Sequence, residues 1–183
     1  MKNESDRLLR PAAEADLPAI VVIYNETIPG RQATADTVPV AVESRRDWFR
    51  RHDPDHRPLL VHERAGRIIA WVSFQSFYGR PAYARTAELS IYVASAHRGQ
   101  GLGRALLAEA LARAPALDIR TVLGFVFAHN EPSLRLLRAA GFQAWGELPN
   151  VAEMDGREYS LVILGKRTAT PQTRNIDAPA SAR

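Results

Sequence analysis

The spacing of apolar positions changes several times along the chain, and the changes mark out its elements. Ile20, Val21, Tyr24 and Ile28 fall on one face of a predicted helix over 17–27, with Asp16 placed to cap it and Pro18 in its first turn. A turn-rich stretch, 29–39, leads to a second predicted helix over 40–52 carrying Val42, Trp48 and Phe49, ended by Pro54 and Pro58. The apolar runs then shorten. Residues 7–10 read as a brief strand, and 59–63 and 67–74 as two strands joined by a tight turn at 64–66. Beyond a loop holding Gly79 and Pro81, the pattern predicts a buried strand at 87–93, a helix at 101–114, a strand at 121–127 and a helix at 132–140 closed by Gly141. Two last strands follow at 142–147 and 158–164. Strands that begin as a hairpin and then alternate with helices predict an α/β fold, α+β in some schemes, with helices on both faces of one mixed sheet.

A chain of 183 residues with 46% hydrophobic content buries one sizeable core, so a single domain at 7–166 is expected between a flexible start, 1–6, and a disordered basic tail, 167–183. The formal charge of +4 does not point to nucleic acid. Lys166, Arg167, Arg174 and Arg183 less Asp177 give the last eighteen residues +3, leaving +1 for the rest. That tail, rich in Thr, Ala, Pro and Arg, lacks the aromatics a core would need. With no cysteine, disulfides, thiolate metal sites and a cysteine nucleophile are excluded. The polar start and the lack of a long apolar run predict neither secretion nor membrane insertion, and the cytoplasm is the expected compartment.

Candidate chemistry concentrates at 87–107, AELSIYVASAHRGQGLGRALL. Gly99, Gly101 and Gly103 let the backbone turn sharply and approach a ligand, and the first N–H groups of the following helix have no intrahelical acceptor. Such a turn binds phosphate. The helix dipole adds about 0.3–1 kcal/mol per favourable charge contact, and Arg98 or Arg104 can add an ionic one. Leu102, Leu106, Ala110 and Leu111 give the helix an apolar stripe for the sheet. A P-loop would need Gly-Lys-Ser/Thr, whereas Gly103 is followed by Arg104 and Ala105; the dinucleotide fingerprint needs two residues before its third glycine.

Arg98-Gly99-Gln100-Gly101-Leu102-Gly103 resembles the Arg/Gln-x-x-Gly-x-Gly/Ala signature of the GNAT superfamily of N-acetyltransferases. Together with IYNETI at 23–28, GRPAY at 79–83, AELSIYV and HNEPSLRLLRAAGF at 129–142, it resembles phosphinothricin and methionine sulfoximine N-acetyltransferases, over about 8–164. The resemblance implies the GNAT fold, a twisted mixed sheet of six to seven strands, and acetyl-CoA as cosubstrate with no metal. It implies that the main chain of Ile91, Tyr92 and Val93 pairs with the pantetheine arm and that Arg98, Gly99, Gln100, Gly101, Leu102, Gly103 and Arg104 hold the pyrophosphate. Ile91 N–H would face the thioester carbonyl, where a donor stabilises developing oxyanion charge. Asn130 and Ser133 match cofactor-contacting positions, although Asn130 also suits a helix N-cap before Pro132.

By the same resemblance Glu88 is the general base, the alternative being a structural carboxylate paired with Arg85 or Arg80. Freeing an amine of lysine-like pKa, about 10.4, costs about 4.6 kcal/mol at neutrality, whereas a peptide terminal amine near 7.7–8.0 costs only about 1–1.4 kcal/mol, so a dedicated base favours the first kind of acceptor. Where related enzymes carry N-x-P-S-x-x-L-H, this chain ends the motif with Leu137. An acid for the departing thiolate would be Tyr92 or water, or the thiolate leaves unprotonated. Arg80 and Tyr83, with Glu88, Leu89 and Ser90, are expected to meet the acceptor. Arg80 could grip a carboxylate through two parallel bonds. Trp71, Phe74, Phe77 and Tyr78 are candidates for an apolar pocket. Trp145 and residues 150–157 are implied as a lid or as the contact of a homodimer. His52 and His56 stand four apart, but Pro54 between them breaks the helix that would align them on a metal, and no third ligand has matching spacing. The expected activity is direct acetyl transfer to a small amino acid or its analogue. Acetylation of a protein N-terminus or polyamine, and a non-catalytic acyl-CoA sensor, stay open.

Overall fold

The computed structural model describes residues 9–168. The flexible start expected at 1–6 and most of the expected basic tail lie outside the described residues. The tail's first two positions are ordered: Arg167 donates to Thr121 Oγ1 at 2.9 Å and Thr168 Oγ1 donates to the Ile119 carbonyl at 2.6 Å.

Among the described residues seven strands form one sheet in the order β1-β2-β3-β4-β5-β7-β6. In sequence these are β1 (Arg10–Pro11), β2 (Leu59–Arg64), β3 (Arg67–Ser76), β4 (Thr86–Val93), β5 (Thr121–Phe127), β6 (Gln143–Met154) and β7 (Arg157–Arg167). Four helices join them: α1 (Leu17–Asn25), α2 (Val42–Arg50), α3 (Leu102–Arg113) and α4 (Glu131–Ala139). β2 and β3 turn at Ala65 and Gly66, both with positive φ, as the short hairpin requires.

Alternation along the strands sorts the helices onto the two faces. Ala87 and Leu89 of β4 and Val122 and Val126 of β5 pack with Leu102, Leu106 and Ala110 of α3 and Leu134 and Leu137 of α4. Each fully buried leucine there, such as Leu106, stabilises the fold by about 1.5–3 kcal/mol. On the other face, Ile20 and Ile23 of α1 and Trp48 and Phe49 of α2 pack over Val61 and Trp71. Both expected helical stripes are thus used, one per face.

Three expectations are corrected. Among the described residues the first strand is Arg10–Pro11, with Arg10 opposite Val61, so it extends past the expected end at 10; positions 7 and 8 of the expected strand lie outside the described residues. Asp16 does not cap α1 through its side chain; Arg10 takes the carboxylate at 2.7 and 3.1 Å and the Ala13 N–H takes it at 2.8 Å. β6 runs to Met154 rather than ending at 147. Pro149 and Asn150 sit where the β6–β7 register shifts between Leu148 and Ala152, a bulge on an edge strand, where a missing N–H and a positive φ at Asn150 are tolerated.

The feature that makes a site is the β4–β5 pair. Among the described residues it is the sheet's one parallel contact, and it holds only from Thr86 opposite Thr121 to Glu88 opposite Leu123. Beyond Glu88 the strands part, so Leu89 to Tyr92 keep β3 on one side and face a cleft on the other. Among the described residues, no helix is long and apolar enough to cross a membrane.

Candidate active site

Two hollows meet at β4. The first, about 590 Å³ of space partly open to solvent, lies between the sheet and the α1–α2 pair. Its floor consists of three cross-strand rungs: Gln75 opposite Glu88, Ser73 opposite Ser90 and Trp71 opposite Tyr92. Its walls are Ile20, Val21 and Tyr24 of α1 with Arg45 and Trp48 of α2. The second, about 1080 Å³ and also partly open, is the β4–β5 cleft, bounded by Leu89 to Tyr92, Gly124 to Phe127, the 32–35 segment and one flank of α4. Glu88, Ser90 and Tyr92 line both.

Glu88 is half-buried, and burial pushes its carboxyl above the usual carboxylate range. Among the described residues no cation lies within ion-pair distance of it. Arg85, a candidate partner, pairs instead with Asp118 at 3.0 Å. A desolvated carboxylate without a counter-ion is a proton acceptor of raised basicity. Tyr92 stacks on Trp71 at 4.3 Å and donates to the Ala33 carbonyl at 3.1 Å. Burial pushes its hydroxyl well above the ordinary phenol value, with Tyr24 and Glu88 adding to the shift, so it keeps its proton throughout the physiological range.

The glycine turn stands between the end of β4 and the start of α3. Gly99 and Gly101 have φ of +73° and +79°, and a Cβ on either would meet nothing within 4 Å. That open concave backbone, ending on the N–H groups that start α3, fits a pyrophosphate. Gly101 is the N-cap, and Arg98 is anchored by a 2.9 Å bond from Nε to the Val93 carbonyl. Gln100 and Arg104 are exposed beside it, and Leu102, the first residue of α3, is buried in the core. Asn130 is buried as the N-cap of α4, accepting from Ser133 N–H at 3.1 Å and donating to the Gln32 carbonyl at 2.9 Å. It therefore holds the 32–35 segment against the cleft, and both Asn130 and Ser133 line that cleft. Leu137 lines it too, and its Cδ1 would stand 2.9 Å from a Cβ at Gly124, so glycine lets α4 approach β5.

Several candidates are placed elsewhere. Arg80 and Tyr83 are exposed in the loop before β4 and line neither hollow. Of the four candidate pocket aromatics, Trp71 lines the first hollow; Phe74 turns to the opposite core, and Phe77 and Tyr78 lie outside both. The arginine that does reach the first hollow is Arg45, its guanidinium 4.6 Å above the Tyr24 ring and 2.6 Å from Asp36. Its spacing with Trp48 and His52 on one helical face was the available signal. Among the described residues, no group of three or more His, Asp or Glu is placed to hold a metal.

The model of the acetyltransferase (GNAT) family matches residues 20–142, which include the glycine turn, Glu88 and both strands of the cleft. The chain belongs to that family. It is an acetyl-CoA-dependent N-acyltransferase with the GNAT fold. The chain is 54% identical over 159 residues to a Bacillus subtilis protein named "Putative phosphinothricin acetyltransferase YwnH", covering 86% of this chain and 97% of that protein. It is 31% identical over 157 residues to an L-methionine sulfoximine/L-methionine sulfone acetyltransferase of Pseudomonas paraeruginosa, covering 85% and 91%. A solved phosphinothricin acetyltransferase from Sinorhizobium meliloti, in complex with acetyl-CoA, superposes with a TM-score of 0.81 at 29% identity, over 87% of each chain.

Proposed function

We propose that this GNAT enzyme acetylates, in the cytoplasm, the amine of a small amino acid or amino-acid analogue of the phosphinothricin or methionine sulfoximine type. The observation that carries this is the meeting of the two hollows at Glu88, Ser90 and Tyr92. The acyl donor enters the β4–β5 cleft with its pyrophosphate on the glycine turn, and the acceptor enters the hollow under α1 and α2. Glu88 takes one proton from the ammonium, the amine nitrogen bonds to the acetyl carbon, and the carbon–sulfur bond breaks to release coenzyme A as its thiolate while the nitrogen gives its second proton to solvent. Tyr92 faces the departing sulfur. Both substrates are present at once, and no covalent enzyme intermediate is needed.

A hollow of this size, roofed by two helices, suits a small ligand better than a polypeptide. Arg45 supplies the cation for an acceptor carboxylate, the part expected of Arg80; Asp36 occupies one guanidinium nitrogen and leaves other N–H groups free to bond. A thiol-release screen across amino acids, phosphinothricin, methionine sulfoximine and sulfone, polyamines and short peptides tests the proposal. Turnover is expected with amino-acid-sized acceptors. Turnover confined to peptides or polyamines would replace the acceptor class, and none with any amine would favour a sensor.

The expected homodimer belongs on β6. This edge strand exposes Trp145 (49%), Leu148 (41%) and Val151 (56%) along an open ladder, a combination that a second chain would cover. Sedimentation equilibrium at micromolar protein is expected to give twice the chain mass, and a single-chain mass would remove this contact.

A further inference from the structure

We propose that Ser73, held in one orientation by His52, is the hydrogen-bond acceptor that positions the attacking amine beside Glu88. This rests on the reading of the α1–α2 hollow as the acceptor site.

His52 lies just past the end of α2, its ring 4.7 Å from Trp48 in an edge-on contact. Its Nδ1 is 3.0 Å from the Trp48 carbonyl, an oxygen that can only accept, so Nδ1 carries the hydrogen. Burial lowers the imidazole's affinity for a second proton, which keeps the ring neutral. Nε2 is then an acceptor. Ser73 Oγ lies 2.8 Å from it and must donate its one hydrogen there. The hydroxyl rotor, free in an ordinary serine, is fixed, and what Ser73 offers the hollow is lone pairs only.

That polarity matches the amine. Ser73 sits one rung along the floor from the Gln75–Glu88 rung, so Ser73 and Glu88 are diagonal neighbours on one face. Diagonal positions stand roughly 7–8 Å apart, a gap that one nitrogen spans when both side chains reach inward. An ammonium has three N–H groups. When Glu88 takes one proton, the remaining amine must hold its lone pair toward the thioester, and a fixed acceptor for one of its N–H groups restricts that rotation. A serine whose hydrogen pointed into the hollow would compete for the nitrogen lone pair and oppose attack.

His52 is therefore a positioning residue, acting only through Ser73. Ser73→Ala and His52→Phe are each expected to raise KM for the amine by about tenfold, the worth of one hydrogen bond. KM and Kd for acetyl-CoA should stay at the native values. The double variant should be no worse than Ser73→Ala, because the histidine has nothing left to orient. His52→Gln, whose amide oxygen can replace Nε2 as acceptor, should recover near-native KM. If a His52 variant does not fold, Ser73→Ala decides alone by the split between amine and acetyl-CoA constants. An amine KM within about twofold of native in Ser73→Ala, or His52→Phe adding its full effect to Ser73→Ala, would overturn the proposal. Gln75→Phe separates the two levels of failure, since it narrows the hollow's partly exposed end. A raised amine KM there with an unmoved Ser73→Ala sinks only the role of Ser73, whereas no change in either variant sinks the acceptor site.

Discussion

Glu88→Gln is expected to lower turnover by about 10²-fold or more, the span usual for loss of a general base, with acetyl-CoA affinity unchanged in calorimetry. Glutamine keeps the volume and the floor geometry and removes only the basic oxygen. The loss follows from the acceptor: an amine whose pKa lies above neutrality is mostly ammonium at pH 7, and without Glu88 its proton is left to solvent. Unchanged steady-state turnover would remove Glu88 from the mechanism.

Two further readouts separate a base from a structural carboxylate. Burial raises the Glu88 carboxyl, so kcat/KM in the native enzyme should fall on the acid side at a pH above that of an ordinary carboxylate, and Glu88→Gln should lack that limb. The stability effect has the opposite sign. A folded-state pKa above the unfolded one means that the native protein binds more protons in the window between the two. Unfolding free energy contributed by this group is fully present below the unfolded pKa and is lost as pH rises through the folded one. At neutral pH the ionised carboxylate therefore costs stability, and Glu88→Gln should melt no lower than the native enzyme while being far less active. A group kept for folding would show the reverse pairing.

Much of this site is legible in the sequence because it depends on local periods. The two-residue alternation of β4 puts Glu88, Ser90 and Tyr92 on one face, and the spacing of Gly99 and Gly101 requires a backbone that only glycine adopts without strain. The same alternation applied to β3 separates Trp71 from Phe74, although aromatic character alone groups them. Helical spacing puts Arg45 and His52 on one face of the helix predicted over 40–52, but their approach to Ser73 is not legible in this way. It depends on how α2 lies across the sheet, a tertiary relation with no short-range signature; Ser73 in particular looks like an ordinary polar position in an apolar strand. The extra length of β6 was hidden because proline and a positive-φ asparagine are read as a strand's end, and an edge bulge accommodates both.

Tyr92→Phe is expected to lower kcat by about 10- to 10²-fold with little change in either KM. The role of the hydroxyl can be narrowed by comparing proton affinities. A thiol near pKa 8.5 is a stronger acid than a free phenol near 10 by about 1.5 units, so full transfer from Tyr92 to the sulfur runs uphill by about 2 kcal/mol, before burial raises the phenol further. Tyr92 is thus better suited to donate a hydrogen bond to the thiolate than to protonate it outright. Hydrogen bonds to charged groups contribute about 1.5–3 kcal/mol, which converts to the stated loss. The proton needed is the one now given to Ala33, so the donor must change partner as charge builds on sulfur. Phenylalanine preserves the stack on Trp71 and removes only that proton. Leu137, an apolar wall in the same cleft, offers no substitute. Acetyl thioesters of more acidic thiols provide the deciding measurement, because a better leaving group needs less help. The Tyr92→Phe defect should shrink as leaving-group pKa falls. A defect of constant size would mean that the hydroxyl acts instead by fastening the 32–35 segment over the cleft, and the leaving group would then depart without assistance from this side chain.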